Sequence, residues 1–225
     1  MSDNAKETSN RAELRDRIIV KATEAFTAHG IKSITMDDIA TSLGISKRTL
    51  YEVFEDKETL LREVLLKNQV DKNEFLENLL AESTNVLEVI LVCFQKSIEM
   101  FHKTNKRFFE DLKKYPSIYK MKSSREKESE STIAFFKSGV EQGIFRDDVN
   151  FAIINLLVRE QFDLLLNTNI CSEYPFLEVY ESIMFTFIRG IATEKGAKVL
   201  ETFIQEYRKN RIERAENNPF GLINN

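Results

Sequence analysis

Glycine and proline are scarce, with seven and three in 225 residues. Chains built from many short strands need such residues at their turns, so long uninterrupted amphipathic stretches point instead to an all-helical protein. Cysteine is limited to Cys93 and Cys171, far apart and without paired spacing. That excludes a disulfide framework and a Cys/His cluster, and leaves two reduced thiols whose ordinary role is packing. Long apolar runs are also missing. The best stretch, 151–166, is broken by Asn155, Arg159, Glu160, Gln161 and Asp163, so it would not span a bilayer. Met1 to Asn10 is polar with no apolar core, which speaks against a signal peptide and for a cytoplasmic protein. No surplus of positive charge exists. The net charge is −4, which argues against a nonspecific nucleic-acid coat protein. No phosphate-binding glycine loop or dinucleotide-binding glycine pattern is present.

What is present is 42% hydrophobic residues, enough for a real core in one or two domains. After a disordered lead-in over 1–9, a first helix is expected from about Asn10 to His29, stopped by Gly30. Leu14, Ile18, Ala22 and Phe26 form its i, i+4 stripe. Thr35 then caps a short second helix, with Asp38 three residues on as its capping-box partner. Gly44 ends that helix, Ser46 caps a third, and Asp56 caps a longer fourth with Leu60, Leu61, Val64 and Leu65 on its packed side. Longer Phe-rich helices follow, expected near 85–103, 105–114, 117–142, 150–169, 176–192 and 194–216, with a tail at 218–225.

The segment from Thr35 to Phe54 fits a helix-turn-helix. Two short helices that cross steeply need a small residue at their contact, and Ala40 stands there. The turn needs a positive φ, which Gly44 supplies. Ile45 and Leu50 close a miniature core with Ile39 and Leu43, and Phe54 follows inward. The second helix then presents Lys47, Arg48 and Thr49 with no acidic residue between Ile45 and Tyr51. Arg48 suits a guanine edge, Lys47 a guanine or a phosphate, and Thr49 a thymine methyl or a phosphate. Free backbone N–H groups at Ser46 and Thr35 favour phosphate oxygens. The wider segment is not basic: from Arg11 to Glu58, eight basic side chains face nine acidic ones. Any attraction to DNA must therefore be local.

Residues 11–66 resemble the N-terminal domain of the tetracycline-repressor (TetR) family. The likeness rests on Ala25-Phe26, Gly30, Thr35-Met36-Asp37-Asp38-Ile39-Ala40 and Leu43-Gly44-Ile45-Ser46. It continues through Leu50-Tyr51, Phe54, Asp56-Lys57-Glu58 and Leu60-Leu61. The resemblance implies a three-helix DNA-binding domain at 10–56, joined to a larger helical dimerisation and effector domain at 57–217. It implies DNA contacts by Thr35, Lys47, Arg48, Thr49, Tyr51 and Lys57, the last as a phosphate clamp. Many members carry an aromatic or histidine two positions after Tyr51, where this chain has Val53.

The resemblance further implies a homodimer formed by two C-terminal helices, a palindromic double-stranded operator and a small effector. The candidate pairing helices are 150–169 and 176–192. The second carries Leu177, Tyr180, Met184, Phe187, Ile188 and Ile191, too apolar around its circumference for a helix with one exposed side. A fully buried helix in a monomeric core is the alternative. Phe94, Phe101, Phe135, Phe136 and Phe162 are candidate walls of an effector pocket, with Arg159 available to an anionic group; ordinary core packing is the alternative for each. An apolar or aromatic ligand is expected, and no cofactor. Two other classes compete. A helical adaptor could keep the fold without DNA binding, but Lys47, Arg48, Thr49 and Lys57 weigh against it. A helical-bundle metalloenzyme would rest on Glu99-x-x-His102, which lacks the second copy a di-iron site requires, so no metal site is expected.

Overall fold

A computed structural model describes residues 2–115, 118, 125–167 and 170–217. They form α1 (Ser2–His29), α2 (Met36–Leu43), α3 (Lys47–Val53), α4 (Lys57–Glu82), α5 (Val86–Lys103) and α6 (Lys106–Leu112). Then come α7 (Arg125–Glu141), α8 (Phe151–Asn167), α9 (Ile170–Glu173), α10 (Phe176–Ile191) and α11 (Glu194–Asn217). The protein is all-α, as the scarcity of turn residues predicts.

The start of the first helix differs from the sequence-based expectation. α1 begins at Ser2 and takes in the segment expected as a lead-in. Nothing between Ser2 and Asn10 stops a helix: there is no Gly or Pro, and Ala5, Lys6 and Glu7 favour one. Of the helix expected over 117–142, the part described as helix is α7 and position 118. Of the helix expected over 150–169, the part described is α8, Phe151–Asn167. The tail at 218–225 lies outside the described residues.

The chain divides into two compact units. The first comprises 1–81 and 96–124, the second 82–95 and 125–225. In the first, Ile18, Ala22 and Phe26 of α1 meet Ile39 and Ala40 of α2, Leu50 of α3 and Phe54 in one core. α4 adds Leu60, Leu61 and Val64, and α6 adds Phe108 and Leu112. Each fully buried side chain of this kind contributes about 1.5–3 kcal/mol, so the first three helices rely on α4 and α6 for much of their stability.

α6 also holds the end of α1 by hydrogen bonds. The Asn105 backbone N–H donates to the Thr27 carbonyl at 2.7 Å, and its side-chain amide donates to the Ala28 carbonyl at 3.2 Å. These are carbonyls that a helix end leaves without partners. The buried carboxylate of Asp111 accepts the Lys32 backbone N–H at 2.7 Å and the Lys114 ammonium at 3.1 Å. The turn between α1 and α2 is thus pinned by a residue far along the chain.

The second unit is built on rings. Phe94 stacks on Tyr180 at 5.2 Å between centroids and meets Phe185, Phe203 and Tyr207. Phe136 stacks on Phe151 at 5.2 Å and touches Phe135, Phe145 and Phe187. The turn after α7 crosses to the end of α10: Arg146 N–H donates to the Ile191 carbonyl and Thr193 N–H to the Ile144 carbonyl, both at 2.9 Å.

Candidate nucleic-acid interface

The α2–turn–α3 segment is specified by local chemistry. Thr35 is the N-cap of α2, and its hydroxyl oxygen accepts the Asp38 backbone N–H at 3.1 Å. Asp38 returns the bond, accepting the Thr35 N–H at 2.8 Å and the Thr35 hydroxyl at 2.6 Å. This reciprocal box satisfies donors at the helix start. The bonds from the Thr35 hydroxyl and backbone hold the Asp38 carboxyl below the usual Asp range. Gly44 closes the helix at φ 65°, ψ 28°, a left-handed conformation that costs any residue with a Cβ. Ile45 N–H then reaches back to the Ala40 carbonyl at 3.1 Å, and Ser46 accepts the Thr49 N–H at 3.0 Å to start α3.

Pinned this way, α3 buries Leu50 and leaves Lys47, Arg48 and Tyr51 exposed, with Thr49 half-buried. The Thr49 hydroxyl is shared with that of Ser46 at 2.8 Å. Phe54 is fully buried, with the Arg15 guanidinium 4.8 Å above its ring. Two acidic partners went unrecognised in the sequence. The Lys47 ammonium pairs with Asp37 of α2 at 2.7 Å, which raises its pKa, and Arg48 Nε donates to Glu52 at 2.9 Å. Nothing in a one-dimensional pattern brings Asp37 to Lys47; the turn at Gly44 does.

Lys57 stands at the start of α4 as expected, but its ammonium is turned to the Ile34 carbonyl and lies 5.8 Å from the centre of the Phe26 ring. It is half-buried, and that burial lowers its pKa. The side chain braces the residue before Thr35. Val53 packs against the core, which accounts for an aliphatic side chain there.

Residues 18–64 match the family model for bacterial regulatory proteins of the tetR family. The transcriptional repressor KstR2 of Mycolicibacterium smegmatis is 26% identical over 165 residues, covering 68% of this chain and 77% of that protein. The uncharacterized transcriptional regulator YhgD of Bacillus subtilis is 30% identical over 133 residues, covering 56% of this chain and 67% of that one. This chain belongs to the TetR family. It is a DNA-binding transcriptional regulator with its helix-turn-helix in α2 and α3. In fold it is similar to the ketosteroid transcriptional regulator KstR2 of Mycobacterium tuberculosis (TM-score 0.52, 20% identity, 80% of this chain and 95% of that one).

The remaining candidate positions of this TetR-family protein fall in several places. Phe94 and Phe136 are buried, each inside its own ring cluster, and Phe135 adjoins Phe136. Phe101 stacks on Phe109 and belongs to the first unit. Arg159 and Phe162 lie on α8, with side chains outside those described. On α10, Tyr180, Ile188 and Ile191 are buried within their own unit, while Leu177, Met184 and Phe187 are half-buried. The apolar circumference of α10 therefore serves its own core on one side. Three exposed apolar side chains stand together on α8: Ile153 at 54%, Leu156 at 56% and Leu157 at 50%. Among the described residues, no group of three or more His, Cys, Asp or Glu side chains converges, and no helix is long and apolar enough to cross a membrane.

Proposed function

We propose that this TetR-family regulator is a cytoplasmic repressor that binds a palindromic operator as a homodimer and leaves it when a small, largely apolar effector binds. The observation that carries the DNA half is α3. Its N-terminal side chains Lys47, Arg48 and Thr49 stand out from a helix locked by Ser46, Gly44 and buried Leu50. Arg48 reads a guanine, Lys47 a base edge or phosphate, and Thr35 and Tyr51 contact the backbone. Lys57 contributes less to phosphates than its position implies, because the Ile34 carbonyl holds one of its three donors. We assign DNA recognition to the 10–56 segment and dimerisation and effector binding to the remainder up to 217.

Pairing through α8 is supported by Ile153, Leu156 and Leu157, three large apolar side chains exposed on that helix. The half-buried Leu177, Met184 and Phe187 of α10 extend the same surface chemistry. Two recognition helices held about 34–36 Å apart then read successive major grooves. An effector acts only through its differential affinity for two spacings of those helices. An apolar effector is favoured by the aromatic second unit and by KstR2, a ketosteroid regulator in Mycobacterium tuberculosis.

The test is selection of DNA from a random-core duplex library, followed by titration of the selected duplex at several salt concentrations. A two-fold symmetric site bound by two protomers is expected. Selection that yields no preferred sequence would exclude the operator-binding role.

A further inference from the structure

Glu52 is the residue on α3 that a purely electrostatic view would remove. It places a negative charge on the face offered to a polyanion, four residues after Arg48. Its geometry gives it a use. The Glu52 carboxylate accepts from Arg48 Nε at 2.9 Å, the nitrogen on the inner edge of the guanidinium. Both terminal nitrogens of Arg48 remain without a partner among the described residues. Those two can make an end-on bidentate contact to guanine O6 and N7.

Helix stability does not account for the pair. Arg48 lies in the first turn of α3 and Glu52 in the last, so both charges oppose the helix dipole. The order of the pair, basic residue first, is also the weaker one for i, i+4 neighbours. The Arg48 side chain is 89% exposed, so no packing orients it. An arginine of that kind gives up its rotamer freedom when it docks. The Glu52 backbone is itself held, its carbonyl accepting from Arg11 Nη2 at 3.1 Å.

We propose that Glu52 is a positioning residue for base readout, holding Arg48 by its Nε so that the two terminal nitrogens face a guanine edge. The inference rests on the reading of Arg48 as a base-contacting residue. The Asp37 pair with Lys47 differs, since it engages the terminal ammonium itself. The consequence is an opposite effect of Glu52 on two kinds of binding: it opposes phosphates in general and favours one base in particular.

The experiment uses the full-length protein, the duplex selected from a random-core library, its single-base variants and a random-sequence duplex. Arg48→Ala should abolish the guanine preference at one position of each half-site. If Arg48→Ala leaves every base preference unchanged, the base contact itself is wrong, and the role of Glu52 falls with it. Given that contact, Glu52→Ala should lower the preference at the same position by about fivefold or more, a share of what a bidentate pair supplies. Affinity for the random duplex should stay the same or rise. Glu52→Gln, which keeps an acceptor oxygen without the charge, should retain most of the preference. In the Arg48→Ala background, Glu52→Ala should leave base preference unaltered. The proposal is overturned if Glu52→Ala raises affinity for selected and random duplexes alike, or if it changes base preference equally with and without Arg48. A thermal melt of each variant separates these outcomes from loss of fold.

Discussion

The carboxylate of Asp111 accepts the backbone N–H of Lys32 at 2.7 Å across 79 positions of sequence. Through this bond α6 holds the turn that leads into Thr35 and the helix-turn-helix. Burial works against the Asp111 charge, but the Lys32 N–H and the Lys114 ammonium outweigh it and keep the carboxyl below the ordinary Asp value. Asp111→Ala leaves that N–H without its acceptor and should cost about 1–3 kcal/mol in urea denaturation. Asp111→Asn retains an acceptor oxygen and should cost less. Equal losses for the two variants would show that charge, not the hydrogen bond, holds the turn.

Two glycines with positive φ separate backbone cost from crowding. At Gly44 (φ +65°) a Cβ would meet nothing within 4 Å, so Gly44→Ala should cost only the left-handed penalty, about 1–2 kcal/mol. At Gly30 (φ +87°) a Cβ would lie 2.8 Å from Arg107 Cβ and 3.3 Å from Asp111 Oδ2. Gly30→Ala should therefore destabilise more than Gly44→Ala by chemical denaturation and loosen the contact of α6 with the turn.

Stability should fall on acidification. Asp38, Asp56 and Asp111 are each more acidic in the fold than the ordinary value of 3.8: burial opposes this in all three, most strongly at Asp111, and hydrogen bonds from Thr35, Thr59 and Lys32 respectively outweigh it. The unfolded chain then binds protons more readily than the native one, so this contribution is complete above about pH 4 and drains as pH falls through the lower folded values. Midpoints of urea unfolding measured from pH 6 to pH 2.5 check this. In Asp111→Asn the acid dependence should be shallower.

Oligomeric state tests the α8 face. Leu156→Asp puts a charge in the middle of the exposed apolar row and should yield a folded monomer by light scattering, with selected-duplex affinity much reduced. Ile188→Asp, by contrast, buries a charge in the protomer's own core and should unfold the second unit. A Leu156→Asp protein that stays dimeric would place the interface elsewhere.

Lys57→Ala distinguishes a brace from a phosphate clamp. A clamp would lower the salt slope of DNA binding by about one and leave stability unchanged. The inward geometry at Ile34 and Phe26 predicts a measurable drop in thermal stability and little change in slope.

Local rules made much of this protein legible in one dimension. The capping box at Thr35 and Asp38, the left-handed turn at Gly44, the cap at Ser46 and the inward Leu50 are contacts between near neighbours, so residue type and spacing determine them. The all-helical class follows for the same reason, from helical periodicity and few turn residues. Other features depend on which helices meet. The inward turn of Lys57 to Ile34 and the Asp111–Lys32 bond join residues that only packing brings together, and Lys47 meets Asp37 only once the Gly44 turn has set α3 against α2. The two sides of α10 read alike in sequence, since its apolar residues surround the helix; burial of Tyr180, Ile188 and Ile191 singled out the side that faces its own core. Periodicity reports that a side chain is apolar, and only the tertiary structure decides which neighbour covers it.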